Sequence, residues 1–236
     1  MKANWPISLF VGFHFLPLLC QSQQWDKKIE KFSTQLTVNP TRAVYDSLHF
    51  LVADHYVQLT AEERRKIRNI LKKQARRAVE KLCSSQEKGI KITIKGRLTD
   101  EHKKAIPHAQ LYIFQADNKG YYAPTDSALK RMNEADPRLF GFVTTDKSGH
   151  YSFETIQPAH YPNPYNGRFI PQHIHITATV KGYKPLNLQM AFDNDPSLKD
   201  PYWQEWAKKQ NFPVVTLHYD KNNRLYGVCD LVLNPL

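Results

Sequence analysis

Directly after Gly89 the chain changes texture: Ile90, Ile92 and Ile94 alternate with lysines, and from there to the C-terminus short apolar runs are separated by turn signals. The runs are Gln110–Gln115, Phe140–Thr145, His150–Thr155, His173–Val180, Asn187–Phe192 and Tyr226–Leu233. Between them stand Thr99-Asp100, Asn118-Lys119-Gly120, Asp146-Lys147-Ser148-Gly149 and Lys181-Gly182. Alternation with period two makes half-buried strands, and turn residues at this density leave no helical spacing between them. The pattern predicts a mainly β fold, an antiparallel β-sandwich over residues 87–236. Two connections, Gly120–Leu139 and Gln157–Gln172, are longer than a hairpin needs, and long loops on a sandwich tend to carry function.

Residues 23–86 read as an N-terminal α-helical extension packed on that core. Thr60 and Glu63 have the spacing of a capping box, and Ile67, Ile70, Leu71, Ala75, Ala78 and Leu82 recur at helical intervals. The opposite face carries Arg64, Arg65, Lys66, Arg68, Lys72, Lys73, Arg76 and Arg77. No aromatic residue interleaves with these cations, so they read as a solvated face and not as a nucleic-acid surface. The net charge of +11 favours anionic partners without choosing among them.

Residues 1–22 have the form of a signal peptide: Lys2 precedes an apolar stretch from Ile7 to Leu19 that is too short to span a membrane. Cys20 and Ser22 supply small residues for processing after Ser22, which predicts an exported protein, secreted or periplasmic. Lipid attachment at Cys20 is the competing expectation. Processing leaves Cys83 and Cys229, and an exported chain with one pair of cysteines is expected to join them in a disulfide, the alternative being two buried thiols. No feature of the sequence specifies an oligomeric state.

The residues able to carry chemistry are concentrated in Thr145–Ile176. His173 and His175 fall on one face of a strand, roughly 7 Å apart. Two imidazoles so placed suit Zn, Cu, Fe or Ni, and equally suit an open polar sheet face. Tyr121, Tyr122, Tyr151, Tyr161 and Tyr165 are the nearby oxygen donors, and a phenolate favours a highly charged ion such as ferric iron.

Several blocks then match a known pattern in order and spacing. Gly120-x-Tyr122, Thr145-Asp146-x-x-Gly149-x-Tyr151-x-Phe153-x-Thr155-Ile156-x-Pro158, Tyr161-Pro162 and Pro171-x-His173-Ile174-His175 resemble the core of the intradiol ring-cleavage dioxygenases, the protocatechuate 3,4-dioxygenase-like family. Gly96-x-Leu98-x-Asp100, Pro107-x-Ala109, Ile113-x-Gln115-Ala116 and Gly182-Tyr183 extend the likeness across roughly Ile90–Leu236. The resemblance implies a non-haem Fe(III) cofactor with Tyr122, Tyr161, His173 and His175 as ligands. Tyr121 and Tyr165 are the alternative tyrosines. It further implies a catechol-type substrate, O₂ as co-substrate, a muconate-type diacid product, and Tyr161 as the ligand that leaves the metal and assists deprotonation.

Two positions depart from the family pattern. Phe114 stands where a tryptophan is usual before Gln115-Ala116, and Ile170 stands where a charge-stabilising arginine is usual. Arg168, two residues earlier, is the expected substitute. Loss of such a group can cost two or more orders of magnitude in rate, which keeps two other functions open: an iron or catecholate binder, and a non-catalytic β-sandwich interaction module. Arg131, Arg138, Arg168 and Lys184 lie in segments that could border the site and make an acidic catechol conceivable.

Overall fold

The alternation that begins at Ile90 becomes a strand, β2 (Lys91–Asp100), with Ile92, Ile94 and Leu98 buried and Lys91 and Lys95 facing water. The structure is a computed structural model describing residues 16–123, 135–163 and 165–236, with side chains from Gln24 onward. In one sheet β2 lies at the centre, in the order β1 (Val79–Lys81), β5 (His150–Ile156), β2, β12 (Leu225–Val228), β11 (His218–Tyr219), and β13 (Leu231–Leu233) also pairs with β2. The second sheet runs β10 (Val214–Val215), β9 (Leu186–Phe192), β8 (His173–Ala178), β3 (Gln110–Gln115), β4 (Leu139–Thr144). A short hairpin, β6 (Tyr161–Pro162) with β7 (Phe169–Ile170), stands apart.

One apolar cluster joins the sheets. Ile92, Ile94, Tyr151 and Phe153 from the first meet Leu111, Ile113, Ile174, Ile176, Met190 and Phe192 from the second. The link from β12 to β13 passes close to β2 at Gly96: a Cβ there would sit 1.8 Å from the carbonyl oxygen of Cys229. Tyr151 Oη donates to that same carbonyl at 2.6 Å, so the position admits only glycine.

The other face of the second sheet is also covered. Helices α1 (Leu16–Val38), α2 (Arg42–His55) and α3 (Ala61–Gln74) bring Trp25, Ile29, Leu48, Val52, Ile67 and Leu71 into one cluster with Phe114, Phe140 and Phe142. Alternate residues of β3 and β4 therefore serve two cores, one between the sheets and one beneath the helices. The expected capping box is present: Thr60 Oγ1 accepts from Glu63 N, and the Glu63 carboxylate accepts from Thr60 N. Two cations of the basic face are clamps. Arg64 pairs with Asp136 at 2.7 Å, and Arg68 bonds Asp136 and the Pro137 carbonyl, so both hold the approach to β4.

Four expectations need correction. The sheets are mixed, because β1–β5, β12–β2, β13–β2 and β10–β9 pair in parallel. These strands arrive from elements distant in sequence, so no hairpin turn fixes their direction. The apolar stripe through Ala75, Ala78 and Leu82 is not one helix: α3 stops at Gln74, Ala75 is extended, and the next residues form β1 against Ser152–Glu154. Pairing to an open sheet edge overrides the local helical period there. A fourth helix, α4 (Pro201–Gln210), was not foreseen. It has Asp200 as N-cap, Pro201 in its first turn and Asn211 as a left-handed C-cap. Finally, Cys83 and Cys229 are both free and buried, Cys229 in the inter-sheet core and Cys83 in a small cluster with Ala53, Leu139 and Ile156.

Of the expected signal peptide, residues 1–15 lie outside the described residues, and Leu16 to Ser22 continue into α1 without a break. Among the described residues no helix is long and apolar enough to cross a membrane.

His49 fastens α2 to the second sheet, its Nε2 lying 2.6 Å from the Phe140 carbonyl oxygen. Burial pushes this imidazole down to about 4, against the opposing pull of that hydrogen bond. An unfolded histidine takes its proton near 6.5, so the contribution of neutral His49 is complete above that pH and is lost as pH falls from 6.5 towards 4. The shift corresponds to about 3 kcal/mol at most. Urea unfolding of the wild type between pH 4 and 7 is expected to lose stability more steeply on acidification than unfolding of His49→Gln; equal slopes would contradict this role.

Candidate metal centre

Strand β8 carries His173 and His175 on the face opposite Ile174 and Ile176, which sit in the inter-sheet core. The histidines therefore point into the layer roofed by the helices. His175 lies opposite Phe114 in the ladder, and the rings stack at 4.3 Å with an interplanar angle of 4°. Phenylalanine thus supplies the flat support at the position where the resemblance leads one to expect tryptophan.

Two tyrosines complete the cluster from separate loops. Tyr122 follows a tight turn in which Asp117 Oδ1 accepts from Lys119 N and Tyr121 N. Gly120 occupies the left-handed region at φ 81°, and a Cβ there would lie 2.7 Å from Tyr161 Cβ, so the glycine of the Gly-x-Tyr motif lets the two tyrosine-bearing segments meet. Tyr161 is held by pairing of β6 with Ile170 of β7. All four side chains are buried.

Their donor atoms converge. Tyr122 Oη lies 3.3 Å from Tyr161 Oη, 3.1 Å from His173 Nε2 and 2.8 Å from His175 Nε2, and the two Nε2 atoms are 3.1 Å apart. His173 Nδ1 is 2.6 Å from the Pro171 carbonyl oxygen, which can only accept, so Nδ1 carries the proton and Nε2 presents its lone pair to the cluster. Burial lowers the His173 pKa, and burial with the neighbouring His173 brings His175 down to about 2, so both rings are neutral near pH 7. Lone pairs gathered in a buried space favour a cation. Bonds of about 2.0–2.2 Å from one ion to N and O donors place adjacent donors about 3 Å apart, as they are here. Among the described residues no group of three or more His, Cys, Asp or Glu side chains forms a metal site, so this set depends on phenols.

A buried carboxylate missed in the sequence ties the ligand-bearing segments together. Asp195 Oδ1 lies 3.2 Å from His160 Nδ1, next to Tyr161, and its Oδ2 accepts from the backbone N–H of Gln172, next to His173. Gln157 Nε2 reaches Gln172 Oε1 at 2.7 Å and Asn194 Oδ1 at 2.9 Å. Locally, Asp195 followed by Pro196 is a helix-start pattern, and Asp195 does cap the turn Pro196–Lys199, a role that does not point to the metal centre.

The remaining candidates are distributed as follows. Tyr165 is 83% exposed, and Tyr151 is committed to the inter-sheet core. Arg168 Nη1 is 2.5 Å from Asp200 Oδ2, with its guanidinium over the Tyr202 ring. Arg138 makes a two-pronged pair with Glu87, both bonds 2.7 Å, and is a structural group. Lys184 donates its backbone N–H to Asn234 near the C-terminus, and Arg131 lies outside the described residues. Beside the cluster is a cavity of about 240 Å³ bounded by Tyr161 and His173 and, on its flank, by Ile170 and Gln189.

Replacing Asp195 by Asn removes the charge that accepts from both segments while keeping volume. Loss of such an outer partner is expected to weaken metal retention about 10–100-fold. Chelator competition on purified protein measures it, and undiminished retention in Asp195→Asn would contradict the positioning role.

Comparisons with known proteins bear on the family and the fold. A family model described as "Dioxygenase" (Dioxygenase_C) matches residues 69–235. The chain is 31% identical over 113 residues to catechol 1,2-dioxygenase of Candida albicans, covering 43% of this chain and 36% of that protein. It is 30% identical over 149 residues to chlorocatechol 1,2-dioxygenase of Rhodococcus opacus, covering 58% of this chain and 56% of that one. The chain spans 36% to 47% of the length of the first curated relatives it matches. The crystal structure of 3-chlorocatechol 1,2-dioxygenase from Rhodococcus opacus 1CP shares the fold, with a TM-score of 0.55, 16% identity and coverage of 91% of this chain and 90% of that one. With the family model matched over most of its length, this chain belongs to the intradiol ring-cleavage dioxygenase family.

Proposed function

We propose that the chain is an Fe(III)-dependent intradiol dioxygenase, cleaving a catechol-type ring between its two hydroxylated carbons with incorporation of both atoms of O₂ to give a muconate-type diacid. The observation that carries the proposal is the convergence of Tyr122, Tyr161, His173 and His175, with Tyr122 Oη within 3.3 Å of the other three donor atoms and the two Nε2 atoms 3.1 Å apart, in a member of this family. These four are the proposed ligands. Bound ferric iron would draw electron density from a chelated catecholate and open the ring to O₂.

The residues divide the remaining work. Two phenolates offset much of a 3+ charge, which distinguishes this donor set from the neutral or thiolate sets that suit zinc and copper. His173 and His175 stay neutral because burial disfavours their charged forms. Tyr161 borders the cavity, so its Oη is the group we assign to take a proton from an incoming catechol hydroxyl. The helical layer and the aromatic flank exclude water from the buried cluster. Export, argued from residues 1–22, belongs to the same reading and would place substrate encounter outside the cytoplasm.

A second reading keeps the metal and slows the chemistry. It is favoured by Ile170, which lines the cavity where a cation is expected, while Arg168 is occupied by Asp200. Oxygen uptake separates the two. Iron-loaded protein given catechol is expected to consume one O₂ per ring with appearance of the diacid, and Tyr161→Phe is expected to lower the rate at least about 100-fold. Absence of uptake by protein that retains iron would leave the binder.

A further inference from the structure

We propose that α4 and the Arg168–Asp200 pair form a substituent subsite beside the metal centre, selecting catechols with an uncharged apolar or ether substituent over carboxylated ones. This rests on the ferric catecholate reading and adds to it the class of ring that fits. The cavity continues away from Tyr161 and His173 onto one face of α4, where Tyr202, Trp203 and Trp206 line it. The residues Trp203 and Trp206 are three apart on that helix and meet edge to face at 5.3 Å, and Tyr202 meets Trp203 at 4.9 Å. Such a wall presents ring faces and edges in fixed positions. At about 240 Å³ the space falls below the roughly 300–1,000 Å³ of drug-sized sites, which fits a single ring with a small substituent.

Charge decides between substituents. Among the described residues the cavity wall contains no Lys, Arg, Asp or Glu. The adjacent cation is Arg168, and its guanidinium is already bonded to the Asp200 carboxylate while lying 5.1 Å from the centre of the Tyr202 ring. A substituent carboxylate entering here would lose hydration and meet the neutral side-chain amides of Asn163 and Gln189 but no unpaired cation, whereas a methyl or methoxy group loses little. Asp200 also caps α4, accepting from Tyr202 N at 3.0 Å, so one carboxylate both orients the aromatic wall and withholds the arginine.

The test compares 4-methylcatechol with protocatechuate, which differ chiefly in the charge of one small group. Anaerobic titration of iron-loaded protein reads binding from its visible spectrum and from tryptophan fluorescence, independently of turnover. The methyl compound is expected to bind at least about tenfold more tightly. Asp200→Asn keeps a competent N-cap and frees Arg168, so it is expected to narrow that ratio several-fold by improving protocatechuate binding. Equal or tighter binding of protocatechuate by the wild type would overturn the subsite while leaving the ferric site standing. An unchanged ratio in Asp200→Asn would overturn the role given to the Arg168–Asp200 pair. Failure of both compounds to perturb iron-containing protein would instead defeat the catecholate reading, and the subsite with it.

Discussion

Everything at the candidate site depends on the two-sided use of β8. Ile174 and Ile176 are fully buried in the inter-sheet core, which locks the strand's register against β3 and β9. A slip of one residue would drive both imidazoles into that core and both isoleucines into the polar cluster, so the apolar pair fixes the polar pair. The ladder then sets His175 against Phe114 and faces both histidines towards the helical layer. Hydrophobic packing thereby holds two neutral imidazoles at 3.1 Å, a separation that lone pairs do not seek on their own.

The helical extension is part of the same construction. Without α1–α3, the second sheet would expose Phe114, Phe140 and Phe142, and the tyrosines would lose their cover. Its attachment is polar as well as apolar: His49 reaches the Phe140 carbonyl, and Arg64 and Arg68 grip Asp136 just before β4. These long-range bonds give Arg64 and Arg68 a structural role, while Arg65, Lys66, Lys72 and Lys73 remain on the exposed face of α3. The same reasoning applies to Arg138, whose pairing with Glu87 and Asp117 braces the turn that delivers Tyr122.

Much of the site was legible in the sequence because it is encoded locally. The His-x-His alternation, the Gly-x-Tyr turn and Tyr161-Pro162 are short-range signals, and the structure brings their side chains together. What escaped was encoded by distance. The strand at Val79–Lys81 exists because an open edge of β5 accepts it, and the parallel placement of β12 and β13 follows from long returns that no turn residue announces. Asp195 caps the short helical turn at Pro196–Lys199, and its second role appears only when His160 and Gln172 fold onto it. Helix α4 is the instructive miss, since its N-cap Asp200, Pro201 and the Trp203/Trp206 spacing were all present in the chain. Expecting nothing but strands after Gly89 hid them.

In the proposed function, four side chains from three segments form one ferric site. Metal analysis joined to the visible absorption spectrum of the purified protein tests it most directly. One iron per chain is expected, with a tyrosinate-to-iron charge-transfer band that shifts or fades in Tyr122→Phe. A protein that stays colourless and iron-free after loading with iron, or a band untouched by substitution at both Tyr122 and Tyr161, would contradict it.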